Sequence, residues 1–160
     1  MDNLWAPWRL KYIAGERSDG CVFCAFPAQK DDHRSRILVR GKFNFIIMNA
    51  FPYSNGHLLI VPYRHTSSFV SLSDDEALEM MQLTQDCCRA LDKVSSPEGF
   101  NIGLNLGCAA GAGIADHLHM HIVPRWTGDT NFMPVLGEVK VIPEDMETTY
   151  QKLKDAFESL

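Results

Sequence analysis

The 160-residue sequence contains no apolar run near the ~18 residues a membrane span needs, so a membrane-spanning helix is not expected. Met1-Asp2-Asn3-Leu4-Trp5 lacks the basic-then-apolar pattern of a secretion signal. The five cysteines are an odd count, which speaks against a disulfide framework. Together these absences make a cytoplasmic protein the expectation. A basic excess is also missing: 15 Lys/Arg against 20 Asp/Glu give a formal net charge of −5, which argues against a partner bound through a nucleic-acid backbone. Residues 1–44 run the other way, with eight Lys/Arg and five Asp/Glu, net +3, but these charges are scattered and read as solvated surface. Disorder and low complexity are excluded by 46% apolar and 22% charged residues. With no internal repeat and no linker, residues 1–160 read as one α+β domain.

Along the chain, Trp5, Pro7, Trp8, Tyr12 and Ile13 make residues 1–20 an aromatic arm, expected to lie on the body or on a partner subunit. Gln29 to Arg34 reads as a loop. Ile37–Val39 and Phe43–Met48 read as paired strands, and the Asn55-Gly56 turn leads into a third strand, His57–Pro62. Ser73-Asp74-Asp75-Glu76 matches the capping box that opens a helix. Ala77, Met80, Met81, Thr84, Cys88 and Leu91 follow at helical spacing, with the Met pair assigned to core or a dimer contact. Phe100–Leu106 and His117–Pro124 read as the fourth and fifth strands, and Val139–Ile142 as a short further one. A final helix starts near Glu144, with Tyr150, Leu153 and Phe157 on one face.

Three segments carry chemistry. Cys21 and Cys24 form C-x-x-C, half of a zinc site or a redox pair, though no βαβ pattern surrounds them. Gly107 to Gly113 contains only Gly, Ala and Cys, a composition that lets backbone amides form an anion nest or simply makes a flexible loop. It is neither a Walker A loop nor a dinucleotide fingerprint. In His117-Leu118-His119-Met120-His121-Ile122-Val123, three of the six histidines alternate. On a strand they share one face, with about 6.7 Å between successive same-face positions. Leu118, Met120 and Ile122 then point the other way, under the long helix. Such imidazoles can bind metal, hold an anion or attack phosphorus.

This pattern resembles the signature of the histidine triad (HIT) superfamily of nucleotide hydrolases and nucleotidyl transferases. Cys21-Val22-Phe23-Cys24, Asn49, Gly56-His57-Leu58-Leu59-Ile60-Val61-Pro62 and Asn105 follow in the family's order, so the resemblance covers residues 21–126. Residues 127–160 are left as a C-terminal extension. Leu4-Trp5-Ala6-Pro7-Trp8-Arg9 and the segment Pro124 to Phe132 are most similar to the branch that contains bacterial diadenosine tetraphosphate phosphorylases.

The resemblance implies an antiparallel five-stranded sheet with a long helix on one face, a C-terminal helix, and a homodimer. It implies a catalytic set of His117, His119 and His121, with His119 as nucleophile at the α-phosphorus and His121 on the phosphate or leaving group. Val22 and Phe23 would line the base pocket, Asn49 would hold the ribose, and Asn105, Gly111, Ala112 and Gly113 would cradle phosphate. Phe45, Ile47 and Asn49 alternate along one strand face, so Phe45 and Ile47 are either an apolar base wall beside the ribose residue or ordinary core. Trp126 would stack on a base or cap the site, or simply pack on the surface. His57 would orient the site from behind. Cys21, Cys24, His65 and His117 would hold a structural zinc. One departure stands out: Ala112-Gly113-Ile114-Ala115 offers no side-chain donor where many relatives carry Ser or Gln. A non-catalytic nucleotide-binding module is therefore the alternative reading. His33, in a polar run, is assigned to the surface.

Overall fold

The computed structural model describes residues 20–130, 132–137 and 141–160. The aromatic arm of residues 1–20 lies outside them but for Gly20. The expected strand at Val139–Ile142 falls partly outside them too, and Val141 and Ile142 are in irregular backbone.

Five antiparallel strands form one sheet: β1 (Ile37–Arg40), β2 (Asn44–Met48), β3 (Leu58–Pro62), β4 (Gly99–Leu104) and β5 (Met120–Arg125), in the order β1-β2-β3-β5-β4. The histidine segment thus runs into a central strand, between β3 and β4. β2 and β3 are buried at every position because both sheet faces are covered there. The β2–β3 connection needs Gly56: its φ of +75° is left-handed, and a Cβ there would sit 2.9 Å from Leu91 Cδ2.

One face is covered by the long helix Asp74–Ser95, called α3 below because α1 (Val22–Ala28) and α2 (Asp32–Ser35) precede it. Its capping box is formed: Glu76 N–H donates to Ser73 Oγ at 3.2 Å, and Ser73 N–H donates to Glu76 Oε2 at 2.8 Å. Its buried stripe is Met80, Leu83, Thr84, Cys87, Ala90 and Leu91, packed on Ile46, Leu58, Ile60, Leu118, Met120 and Ile122. The expected stripe was rotated: Met81 is 52% exposed and Leu83 and Cys87 take the interior. Two elements share the helix, the sheet and the C-terminal helix, so its buried arc is set by both. After α4 (Met133–Gly137), that C-terminal helix, α5 (Met146–Glu158), buries Tyr150 and Leu153. Tyr150 Oη donates to Ile37 O at 3.1 Å, tying α5 to the edge of the sheet.

Two segments differ from the sequence reading. Residues 29–34 are not one loop, because Asp31 caps α2 by accepting from Arg34 N–H at 3.0 Å. The fifth strand's ladder starts at Met120, so His117, Leu118 and His119 precede it. Their alternation survives because Leu118, Met120 and Ile122 are anchored in the α3 core.

Candidate active site

The sheet face opposite α3 carries a second buried cluster, Phe23, Ile37, Phe45, Ile47, Leu59 and Val61. Phe23 comes from α1, which starts directly after Cys21. It packs against His117 (ring centroids 5.6 Å) and His119 (5.2 Å), so α1 roofs the histidine segment.

Hydrogen bonds assign the proton on each imidazole. His117 Nε2 lies 2.8 Å from Pro62 O, and a carbonyl only accepts, so the proton is on Nε2 and the Nδ1 lone pair is free. That Nδ1 faces Cys21 Sγ at 3.1 Å, Cys24 Sγ at 3.6 Å and His65 Nδ1 at 3.3 Å. The four ligand atoms lie within 4.8 Å of one another, a group able to hold a metal ion. Burial, and then the neighbouring Cys21, raise the Cys24 thiol above its ordinary range, a cost that a bound cation reverses.

His119 Nδ1 lies 2.8 Å from His117 O, so Nδ1–H donates and Nε2 keeps the lone pair. Behind it runs a chain of three groups. Tyr53 N–H donates to His57 Nδ1 at 3.0 Å, so His57 carries its proton on Nε2. That nitrogen is 3.0 Å from His121 Nδ1, which must accept. His121 therefore presents Nε2–H, and this buried atom has no hydrogen-bond partner among the described residues. Burial first, and the neighbouring His119 second, push the His121 imidazole down to about 4, so it is neutral at pH 7.

His119 and His121 open onto a cavity of about 1040 Å³, lined by Val22, Phe23, Ile47, Asn49 and Gly113 among others. Of the residues named from the sequence, these gather around His119 and His121. Others do not. Phe45 is fully buried against Tyr63, with ring centroids 5.2 Å apart, and is core rather than cavity wall. Gly111 and Ala112 lie outside the lining, in a turn at the loop's tip, where Gly111 has a φ of +86°. Asn105 and Trp126 line a neighbouring groove, and the Trp126 indole N–H donates to Ser95 O at 3.2 Å. His57 is 1% exposed, behind His121. His33 lies on the surface as expected, where it pairs with Glu147 on α5 at 2.6 Å.

Three residues of the site went unread in the sequence. Tyr53 stacks on His121 (centroids 5.4 Å apart, planes 14° apart). Arg34 and Arg36 line the cavity, supplying positive charge from a segment read as scattered surface. The signal for Arg36 was slight: it ends a four-residue helix in the left-handed conformation, φ +57°, too short for periodicity to detect.

Comparisons with known proteins bear on this geometry. The HIT domain profile matches residues 30–128. An AP-4-A phosphorylase of Mycobacterium tuberculosis is 41% identical over 162 aligned positions, covering 96% of this chain and 83% of the relative. An adenosine 5′-monophosphoramidase of Schizosaccharomyces pombe is 29% identical, covering 66% of this chain and 74% of the relative. Among solved structures, a Zn-bound histidine triad family protein from Mycobacterium smegmatis superposes with a TM-score of 0.71 at 26% identity, covering 88% of this chain and 94% of that one.

Proposed function

The chain belongs to the HIT domain family, and from that premise we propose that it is a nucleotide-processing enzyme that cleaves dinucleoside polyphosphates at an α-phosphate through a nucleotidyl-His119 intermediate. The observation that carries the reading is the tautomer of His119: with Nδ1–H bound to His117 O, the nucleophilic lone pair on Nε2 belongs to an imidazole of the cavity wall.

In the first step His119 Nε2 attacks the α-phosphorus, forming a P–N bond as the P–O bond to the leaving phosphate breaks. Covalent catalysis of this kind replaces one hard displacement by two easier ones. His121 Nε2–H is the donor for a phosphate oxygen, and its low basicity keeps it a neutral donor rather than a competing cation. Tyr53 N–H and His57 hold that tautomer in place, so His57 is a positioning residue. Arg34 and Arg36 supply positive charge for the phosphates, and Val22, Phe23 and Ile47 an apolar wall for the base. Asn49, whose Oδ1 accepts from Phe51 N–H at 2.9 Å, is held where it can meet the ribose. In the second step inorganic phosphate or water attacks the same phosphorus and His119 leaves.

The four-residue Cys21–Cys24–His65–His117 group suits zinc. Zinc bonds of about 2.3 Å to sulfur and about 2.0 Å to nitrogen, at tetrahedral angles, space N···N pairs about 3.3 Å and N···S pairs about 3.5 Å apart. The N···N distance here is 3.3 Å and the N···S distances run from 3.1 to 3.6 Å. Four protein ligands make the ion structural: bound there, it would fix α1 and the His65 loop to the residue two before the nucleophile.

Incubation with diadenosine tetraphosphate, with and without inorganic phosphate, tests the reading. ADP plus ATP formed only with phosphate identifies a phosphorylase, the outcome favoured by the AP-4-A phosphorylase relative. AMP plus ATP identifies hydrolysis by water. Binding without turnover would replace the enzyme by a nucleotide-binding regulatory module.

A further inference from the structure

The proposed nucleophile sits just outside the sheet's ladder. β5 begins its pairing with β3 at Met120, one residue after His119, so the ladder by itself does not fix where His119 points. Two bonds from the chain at and beyond the end of β3 reach the segment instead. His117 Nε2–H donates to Pro62 O at 2.8 Å, and Leu118 N–H donates to Thr66 O at 2.6 Å. His117 O in turn accepts from His119 Nδ1–H at 2.8 Å. The placement of His119 is therefore inherited from residues 62–66. A carbonyl positions its donor only as well as it is positioned itself, so what holds residues 62–66 matters to the site.

Residues 63–73 form a strap from β3 to the start of α3, and His65, Thr66 and Ser67 within it line the His119 cavity. Short-range bonds knit the strap: Ser68 N–H donates to Thr66 Oγ1 at 3.1 Å and Ser71 Oγ–H to Ser68 O at 2.8 Å. The Arg64 side chain ties it to the body. Arg64 Nε and Nη2 donate to the two Glu76 oxygens at 2.8 Å each, and Nη2 also donates to Ser71 O at 2.9 Å. The same Glu76 Oε2 accepts from Ser73 N–H in the capping box of α3. Glu76 is 8% exposed, a depth at which a carboxylate is rarely found unless paired. Arg64 is 44% exposed, and ion pairs open to water contribute little to stability. What a guanidinium fork supplies here is direction, because two parallel bonds to one carboxylate fix orientation as well as distance.

We propose that Arg64 and Glu76 are a positioning pair for His119: the fork holds the strap, the carbonyls of Pro62 and Thr66 hold His117 and Leu118, and His117 O holds the His119 ring. Without the fork, Thr66 O is free to leave Leu118 N–H, and His119 Nε2 loses its aim at the α-phosphorus. A misplacement of about 1 Å can cost ~10²-fold in rate. Neither Arg64 nor Glu76 lines the cavity, so substrate binding is not part of their role. For its kinetic arm the inference rests on the enzymatic reading above; the chain of bonds from Glu76 to His119 does not.

The test uses the full chain at matched metal content, because His65 neighbours Arg64. With diadenosine tetraphosphate, Arg64→Ala is expected to lower kcat roughly tenfold or more, with KM within about twofold and the urea midpoint near that of wild type. Arg64→Lys keeps the charge but not the fork. It should lower kcat roughly threefold or more, which keeps the test alive if the alanine variant does not fold. A readout without turnover is nitrogen NMR of the imidazoles at alkaline pH. Wild type should show the His119 proton on Nδ1, and Arg64→Ala a mixture of the two tautomers. A smaller fall in kcat in a folded alanine variant, a loss carried by KM instead, or an unchanged His119 tautomer overturns the proposal. So does recovery of kcat on adding zinc, which would place the effect in the metal group and not in the fork. An inactive wild type would overturn the enzymatic reading, while the tautomer comparison still judges the pair.

Discussion

Leu118, Met120 and Ile122 face α3, while His117, His119 and His121, interleaved with them, face the cavity side. Both sets are buried, from 0% exposure at Ile122 to 8% at His121, yet they are held by different forces. The apolar set is held by contact with Met80, Leu83, Cys87 and Leu91, and any side chain of similar shape serves there. The histidine set is held by directional bonds, each with a named acceptor: Pro62 O, His117 O and, for His57, the His121 Nδ1. Burial of polar nitrogens is tolerated because those partners exist. Among the described residues, His121 Nε2 is the buried imidazole nitrogen without a hydrogen-bond partner, and it is the atom proposed above to donate to the substrate. One face of the segment specifies that the protein folds, and the other specifies which proton sits where.

Exchanging single residues between these roles breaks the comparison. His119→Ala is expected to lower kcat at least ~10³-fold, with little change in the urea midpoint, since it removes the proposed nucleophile but no packing of the α3 core. Ile122→Ala is expected to do the reverse. It should cost about 2–5 kcal/mol in equilibrium unfolding while activity per folded molecule persists. Loss of catalysis in the Ile122 variant at full stability would show that the two faces are not separable.

Metal removal tests the far end of the histidine face. We expect one zinc per chain by elemental analysis. Stripping it, or Cys24→Ser, should lower Tm by roughly 8 °C, about 2 kcal/mol at ~4 °C per kcal/mol for this chain length. A protein prepared without added chelator that carries no zinc, with Cys21 and Cys24 free to titrate, removes the metal from the account.

The smallest effect is in the pH dependence of stability. His121 is pushed from an ordinary 6.5 to about 4 in the fold, so between those values the unfolded chain binds the extra proton and stability rises with pH. The contribution is present above pH 6.5 and is lost as pH falls toward 4. Wild type should therefore lose more Tm between pH 7 and pH 5 than His121→Asn, and parallel profiles would contradict the assignment of a neutral His121.

Much of the frame was legible in the chain. The alternation at residues 117–123, the capping box at Ser73 and the Asn55-Gly56 turn are local patterns, and local sterics and hydrogen bonding enforce them wherever they occur. The four-residue metal group was legible through resemblance, and the four ligand atoms do converge. The rest failed where a neighbour in space decided the outcome. Phe45 had the right alternation for a cavity wall, but Tyr63 covers it. The helix Asp32–Ser35 is too short for periodicity, and with it two cavity arginines, Arg34 and the C-cap Arg36, went unnoticed. Asn105 was assigned to the site by resemblance and Trp126 by its place after the histidine segment, yet both line the groove beyond His121, at the ends of β4 and β5.

By itself the sequence determined the period of the histidine segment, and with it two chemically opposite faces, because successive side chains of extended backbone must point to opposite sides. What tertiary structure alone decided was the state of each imidazole. Which ring nitrogen carries the proton depends on the partner it meets: the Pro62 carbonyl of β3 and the His117 carbonyl accept, while for His121 the partner is the donating His57 Nε2–H. Three identical side chains thus hold three different proton placements, each set by what lies within about 3 Å of it.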